Sequence, residues 1–265
     1  MAGFSKNDEQ FRNYALSAPP LKALLTVCAP LALYQALSQI FKILDALMAA
    51  HISSSAVSAV SCLSQITLMI TALGSGLAVG GCIKISEAYG QGDDQRMRKQ
   101  VASVYAMAAA ASLLVAVTLI PFAVPFLRLL QTPEDLIATG AGYFRIEIFT
   151  LVITFFNTVY IAVERSRGHS RKILILNLMI ILVKLSLSVL FVYVIKGGLV
   201  LIAVASLAGQ LLLFFYALFS MSRDEGAFRF SPKNISWEKS ITLPILNLSY
   251  PVAAEKMFFA AGKEE

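Results

Sequence analysis

Five ionisable side chains of this sequence, Lys42, Asp45, Arg145, Glu147 and Lys184, fall inside long apolar runs. There a charge costs about 2.5–3.5 kcal/mol on insertion scales, so each needs a partner, water or a transported ion. The stretch FKILDALMAAHI, residues 41–52, places Lys42 and Asp45 in a run that begins near Leu24. Asp45 can pair with Lys42, three residues earlier on the same helix face, or stand in water as a carboxylate able to take up a proton or a cation. At 1.5 Å per residue from the nearer helix end, Asp45 lies ~8 Å deep, Lys42 ~12 Å, Ser188 ~10 Å and Lys184 ~16 Å. An extended lysine lifts its ammonium several ångströms toward the interface, so Lys184 can meet Asp45 if their two helices pack together. The alternative for Lys184 is a snorkelling residue at a filled helix interface.

Arg145 reads as an anchor near a helix end. Glu147, two residues on, does not share its face and stays open between a cavity role and a packing role. The amides of Gln35, Asn157 and Asn177 also lie within apolar runs, where each must find a partner in protein or water. Other chemistries find little footing. His51 and His169 read as solvated loop residues, and no His, Cys or carboxylate cluster has metal-ligand spacing. Cys28, Cys62 and Cys82 show no CxxC spacing and read as small apolar packing residues. GSGLAVGG lacks the lysine and preceding strand of a phosphate loop. With no nucleophile, triad or nucleotide site, the residues point away from an enzyme, and no cofactor is expected.

The elements that must position these residues are membrane helices. The 265 residues are 57% hydrophobic and only 14% charged, against roughly 25% charged in an ordinary soluble domain. Six apolar blocks reach the ~20 residues needed to cross a bilayer. They are Leu24–Ala50, Ala56–Ile83, Val101–Leu127, Gly140–Val163, Ile173–Ile195 and Leu199–Met221, with a shorter one at Ile241–Ala261. Hydrocarbon offers no partner to free backbone groups, and these blocks are too long for barrel strands, so an all-α membrane protein is expected: a six-transmembrane-helix bundle plus a partial seventh helix. Pro30, Pro121, Pro125 and the glycines of ALGSGLAVGG bend helices or let them pack closely.

Basic residues mark the sides. Fifteen Lys and Arg lie before the first block and in the second, fourth and sixth connections, whereas the alternate connections hold only Arg128 and Lys196. Basic loops stay cytoplasmic, so the N-terminus and even-numbered loops are placed inside a multi-pass protein of the cell membrane. The polar first residues contain no apolar core before a cleavage site, which argues against a removable signal peptide. The chain divides into a cytoplasmic segment 1–22, a six-helix lobe 23–222, a cytoplasmic linker 223–239 and a truncated start of a second six-helix repeat 240–265. SITLPILNLSYPVAAEKMFFAAGK echoes TVCAPLALYQALSQIFKILDALMA in outline, with a polar residue four or five places after a proline: Glu255 after Pro251, Gln35 after Pro30. Trp237 in the linker reads as an interfacial anchor. The chain stops at GKEE, too soon for a comfortable seventh span, as expected of a fragment.

The order PLALYQALSQIFKILDALMAAHISSSAVSAVS, GLAVGGCIKISEAYGQGDDQ, GYFRIEIF, ERSRGHSRKILILN resembles the multidrug and toxic compound extrusion (MATE) transporters. The resemblance covers nearly the whole chain as a half-protein. It implies two six-helix lobes around a central cavity and exchange of amphipathic or cationic drugs for Na⁺ or H⁺. It makes Asp45 the carboxylate of the N-terminal lobe that binds the coupling cation or proton. Two departures stand out. Where the family's fifth helix offers Asn and then Asp, this chain has Lys184 and Ser188, and a lysine beside Asp45 would compete with Na⁺. The second lobe is almost absent, so it is expected in cis or from another chain. Glu255 is only a weak match, because the acid of some relatives falls later.

Two alternatives remain. Lipid-linked oligosaccharide flippases share the fold and line their cavity with basic residues, which Lys42 and Lys184 would suit. An inactive or regulatory truncated membrane subunit would act only through helix packing. The expected partners are a small organic cation or amphipathic drug and the lipid bilayer, with no nucleic acid.

Overall fold

The apolar blocks fold as helices, as they must in hydrocarbon. The structure, a computed structural model, describes residues 6–52, 54–129, 134–195, 198–223, 228 and 231–261. In chain order the helices are α1 (Lys6–Ser17), α2 (Pro20–Ile52), α3 (Ser54–Gln91), α4 (Asp94–Leu119), α5 (Ala123–Leu129), α6 (Glu134–Ser166), α7 (Ser170–Val189), α8 (Leu199–Arg223) and α9 (Lys239–Ala261). Among the described residues five stretches are long and apolar enough to span a bilayer, in α3, α4, α6, α7 and α8, and α2 carries a shorter apolar stretch, Leu24–Ile40.

Most helices outrun the expected blocks, because their ends are built from polar turns at the membrane surface. The connection after α3 shrinks to Gly92 and Asp93. Gly92 adopts φ +74°, and the Asp93 side chain accepts from the Arg96 N–H at 3.0 Å to cap α4. The third block is not one helix. Pro121 lacks an N–H and cannot continue α4, so the chain turns at residues 120–122 and restarts as α5. α7 loosens into a π-helical turn at Leu190–Val194. The polar N-terminal segment forms α1, which places the Phe11 ring over Gly168 (φ +78°) and the Arg12 guanidinium over Gly92.

Packing is ordered by small residues, since lipid tails are as apolar as leucine and supply no hydrophobic drive between helices. α3 is the hub. Its Gly74 meets the Phe155 ring of α6, Gly81 meets Val104 of α4, and Gly76 and Gly80 lie against Ser249 and Ala253 of an antiparallel α9. ALGSGLAVGG thus serves close packing within an unbroken helix and introduces no break. Two apolar cores fill the bundle. One, near the basic loops, includes Met97, Val101, Val159, Val163 and Leu213; the other, at the opposite end, includes Leu63, Leu127, Phe144, Ile148 and Ile202. Large apolar side chains such as Leu113, Leu114 and Val117 point outward at 63–67% exposure, as lipid-facing residues do.

α2 packs on α3 and α7, α7 on α8, α8 on α6 and α6 on α3, closing a ring of five helices. α4 packs on α3 and α6 from outside it, and α9 packs on α3 beside α4.

Candidate functional site

The ring brings α2, which carries Lys42 and Asp45, against α7, which carries Lys184 and Ser188. This is the helix pairing on which a meeting of Lys184 with Asp45 depends. The side chains of Lys42 and Asp45 themselves lie outside the described residues. Lys184 is half-buried on the α8-facing side of α7: a Cβ at Gly209 of α8 would stand 3.7 Å from Lys184 Cβ. Ser188, one turn further, is wholly buried, and its Oγ has no hydrogen-bond partner. A buried hydroxyl left unsatisfied is costly, so Ser188 in the middle of the membrane-spanning stretch, like Ser170 at the start of α7, calls for a water or ion.

The other candidates are dispersed. Asn157 of α6 donates from Nδ2 to Gln210 O at 2.9 Å and to Gln210 Oε1 at 2.8 Å, tying α6 to α8, while its buried Oδ1 has no partner. Asn177 spends its Nδ2 on Ile173 O of its own helix at 2.8 Å. Gln35 of α2 is exposed, Glu147 of α6 is half-buried, and Glu255 is exposed beside Lys256 on α9. Arg165, at the end of α6, acts electrostatically on both Tyr34 of α2 and Lys256 of α9. Arg165 and Lys256 are therefore two like charges close enough to act on one another.

Two expectations need correction. His169 is not a solvated loop residue: its Nδ1 stands 2.7 Å from Glu164 Oε2, in a partly buried pair. Cys28 does not pack inside; it is exposed on α2. Cys82 is half-buried with Sγ 3.3 Å from Ser166 Oγ, and Cys62 falls outside the described side chains.

Among the described residues, a concentrated charge cluster was not singled out from the sequence. Glu164 is almost fully buried, with Arg167 Nη1 at 3.5 Å, His169 Nδ1 at 2.7 Å and Lys172 Nζ at 3.1 Å. Lys172 also donates to Ser220 Oγ of α8 at 3.2 Å and lies over the Tyr160 and Tyr216 rings. One carboxylate thus fastens the end of α6, the start of α7 and the end of α8. Its signal in the sequence is a single acid among the bases of ERSRGHSRK.

Two hollows are outside the ring. A cavity of about 380 Å³ lies between α4, α6 and α8, lined by Tyr105, Ala109, Phe156, Phe214 and Met221 and closed at one end by Ile235 of the linker. Asn157 lines this cavity rather than the ring interior alone. A polar crevice of about 260 Å³ runs along Asp93, Arg96, Lys99 and Glu238. Here the hydrogen bond from Lys99 holds the exposed Glu238 carboxyl below the usual glutamate range, with Ser236 assisting.

Residues 30–190, more than half of the chain, match the model of the MatE family. The chain belongs to the MatE family. Two Bacillus subtilis proteins of similar sequence bear multidrug-resistance names. The probable multidrug resistance protein YpnP is 24% identical over 91% of this chain and 54% of its own length. The probable multidrug resistance protein YoeA is 28% identical over 44% of this chain and 25% of its own length. In fold, this MatE chain superposes on an outward-facing multidrug resistance MATE transporter of the MOP superfamily with a TM-score of 0.86 at 17% identity, over 96% of this chain and 55% of that one. The same TM-score, identity and coverage hold for a MOP superfamily transporter from Pyrococcus furiosus described as having a binding pocket of reversed polarity. This multi-pass membrane chain spans about half the length of these relatives.

Proposed function

We propose that this chain is the N-terminal lobe of a cation-coupled antiporter that exports drugs or other amphipathic organic cations. The observation that carries the proposal is the packing of α2 on α7 within the ring. It sets the helix of Asp45 against the helix of Lys184 and the unsatisfied Ser188. A carboxylate at such a junction changes its charge on taking up H⁺ or is screened on taking up Na⁺. Either event favours one face of an alternating-access equilibrium only if the ion binds the two states differently. Lys184 is a built-in competitor: when its ammonium neutralises Asp45, Na⁺ loses its partner, so proton exchange between the two groups becomes the simpler coupling. The other wall of the translocation path is a second six-helix lobe, in cis or from another chain, beginning at α9. The N-terminus and basic loops face the cytoplasm.

The test is export of a lipophilic fluorescent cation from cells lacking their own pumps. Asp45→Asn is expected to abolish gradient-dependent export and Asp45→Glu to retain it; export undiminished in Asp45→Asn would end the proposal.

The like charges of Arg165 and Lys256, together with Lys184 further along α7, support a second cargo class, a phosphate-bearing lipid-linked oligosaccharide carried by a flippase of the same fold. The reversed pocket polarity ascribed to the Pyrococcus furiosus relative is a parallel. Rescue of a cell-envelope glycan defect without drug protection would favour this cargo over the first.

A further inference from the structure

On the side of the basic loops, two left-handed glycines lie under consecutive residues of α1. Gly92 (φ +74°) follows α3, and a Cβ there would stand 2.9 Å from Arg12 Nη2. Gly168 (φ +78°) follows α6, and a Cβ there would run into the Phe11 ring. Each glycine thus permits both the turn of its loop and the seating of α1 upon it. At its other end α1 belongs to α2. Tyr14 Oη lies 3.3 Å from Thr26 Oγ1, and the link between the two helices carries Pro19 and Pro20, whose fixed φ stiffens it. α1 therefore ties the inner end of α2 to the inner ends of α3 and α6.

A second segment bridges the same two helix ends, and the contrast shows which tie can let go. Phe228 of the linker is 3% exposed, edge-on to Tyr89 of α3 at 5.3 Å and under the Arg167 guanidinium at 4.9 Å. Further on, Ser236 bonds both ways with Ser103 and Glu238 pairs with Lys99, which holds the linker along α4. α1 has no such depth: Phe11 is half-buried, and Glu9, Gln10, Asn13 and Leu16 are exposed. A 12-residue helix is marginal alone in water, and segments with few buried contacts open at low free energy. The linker is the fixed tie and α1 the loose one. We propose that α1 is a releasable clasp: seated on Gly92 and Gly168 it keeps the basic-loop side of the ring shut, and its lifting lets α2 part from α3 and α6 on that side. The clasp rests on the alternating-access reading above, in which each side must open in turn.

Cys82 reports the step. It is half-buried on α3 with Sγ 3.3 Å from Ser166 Oγ, two residues before Gly168, so it lies beside the seat of Phe11. The whole chain in lipid nanodiscs is treated with a membrane-impermeant maleimide, and labelling at Cys82 is timed by peptide mass spectrometry. Losing a half-buried phenyl ring weakens docking about tenfold, so Phe11→Ala is expected to label Cys82 about tenfold faster. Gly168→Ala, which pushes the ring off from the other side, is expected to do the same. The double variant should go no further than either single one, because both break one contact. Gly90→Ala, with nothing within 4 Å of the added methyl, is expected to keep the unaltered rate. Hydrogen exchange separates release from general loosening: in Phe11→Ala it is expected to rise over residues 6–17 and to stay unchanged in α8. Labelling of Cys82 at the unaltered rate in Phe11→Ala overturns the clasp. So does a rise matched by faster exchange in α8, or additive effects in the double variant. None of these readouts involves Asp45 or export, so failure of the clasp is distinct from failure of the antiporter reading, which Asp45→Asn tests.

Discussion

Replacing Glu164 by Gln keeps the side chain's size and removes its charge. The structure then leaves Arg167 and Lys172 crowded together with no carboxylate between them. Removing one partner of a buried ion pair costs about 3–5 kcal/mol. Glu164 is 2% exposed, and its partners Arg167, His169 and Lys172 are 11%, 29% and 29% exposed, so they retain some water. That places the loss at the lower end, about 3 kcal/mol, which for a chain of this size lowers Tm by roughly 6–12 °C. The contrast is Glu134→Gln. Its pair with Arg128 is 3.0 Å long, but the two side chains are 70% and 62% exposed, respectively. Such a pair is worth about 0–1 kcal/mol, so Tm moves by under about 4 °C. The assay is thermal unfolding of the detergent-solubilised chain followed by intrinsic fluorescence. Adding Lys172→Met to Glu164→Gln should recover part of the loss, because the stranded cation goes with it. Equal melting of Glu164→Gln and Glu134→Gln would refute the assignment of this cluster as the fastener that sets α7 against its neighbours.

Gly80→Ala adds a methyl that meets Ser249 Oγ and lies 2.7 Å from Ile245 O on α9, whereas Gly90 has nothing within 4 Å. Gly80→Ala should cost about 1–3 kcal/mol by overpacking and Gly90→Ala nothing measurable; equal melting temperatures would refute the close α3–α9 approach. Ser103→Ala leaves the buried Ser236 N–H and carbonyl short of partners, with an expected loss of about 1–3 kcal/mol. Hydrogen exchange at residues 235–238 should rise while exchange in α7 does not. The Glu238 carboxyl is depressed by Lys99, so its tie is fully present above the ordinary glutamate value of about 4.3 and is lost as pH falls through the lower folded value. Trp237 anisotropy should therefore hold from neutrality to about pH 5 and change only below about pH 4.3. Lys99→Gln should shift the change upward, and a transition near neutrality would contradict the depressed carboxyl.

Much of the fold was legible because hydrocarbon permits little else. Blocks such as Leu199–Met221 fold as helices of nearly the same extent, here Leu199–Arg223. Pro121 signals only a bend within the single block Val101–Leu127, which the fold turns into a full break between α4 and α5, and the small residues of α3 announce close contacts without revealing that α6, α4 and α9 would each take one face. α1 escaped notice because KNDEQFRNYALS is short and polar, and its helix is held by docking of Phe11 and Arg12 on two left-handed glycines contributed from far along the chain. The Glu164 cluster escaped for a related reason. Its bases looked like headgroup-level charges, and only the fold shows that the lone acid among them is buried. Ser188 was legible as a position but not as an orphaned hydroxyl, since that depends on what α7 faces.

The central claim is that Asp45 is a titratable, water-reached carboxylate between α2 and α7. Carbodiimide labelling of the membrane-embedded chain, read at Asp45 by peptide mass spectrometry across pH and Na⁺ concentration, tests it directly. Labelling that falls as pH rises, or that the coupling cation protects against, is the predicted result. An Asp45 that never reacts, or that reacts alike at every pH and with or without Na⁺, would contradict it.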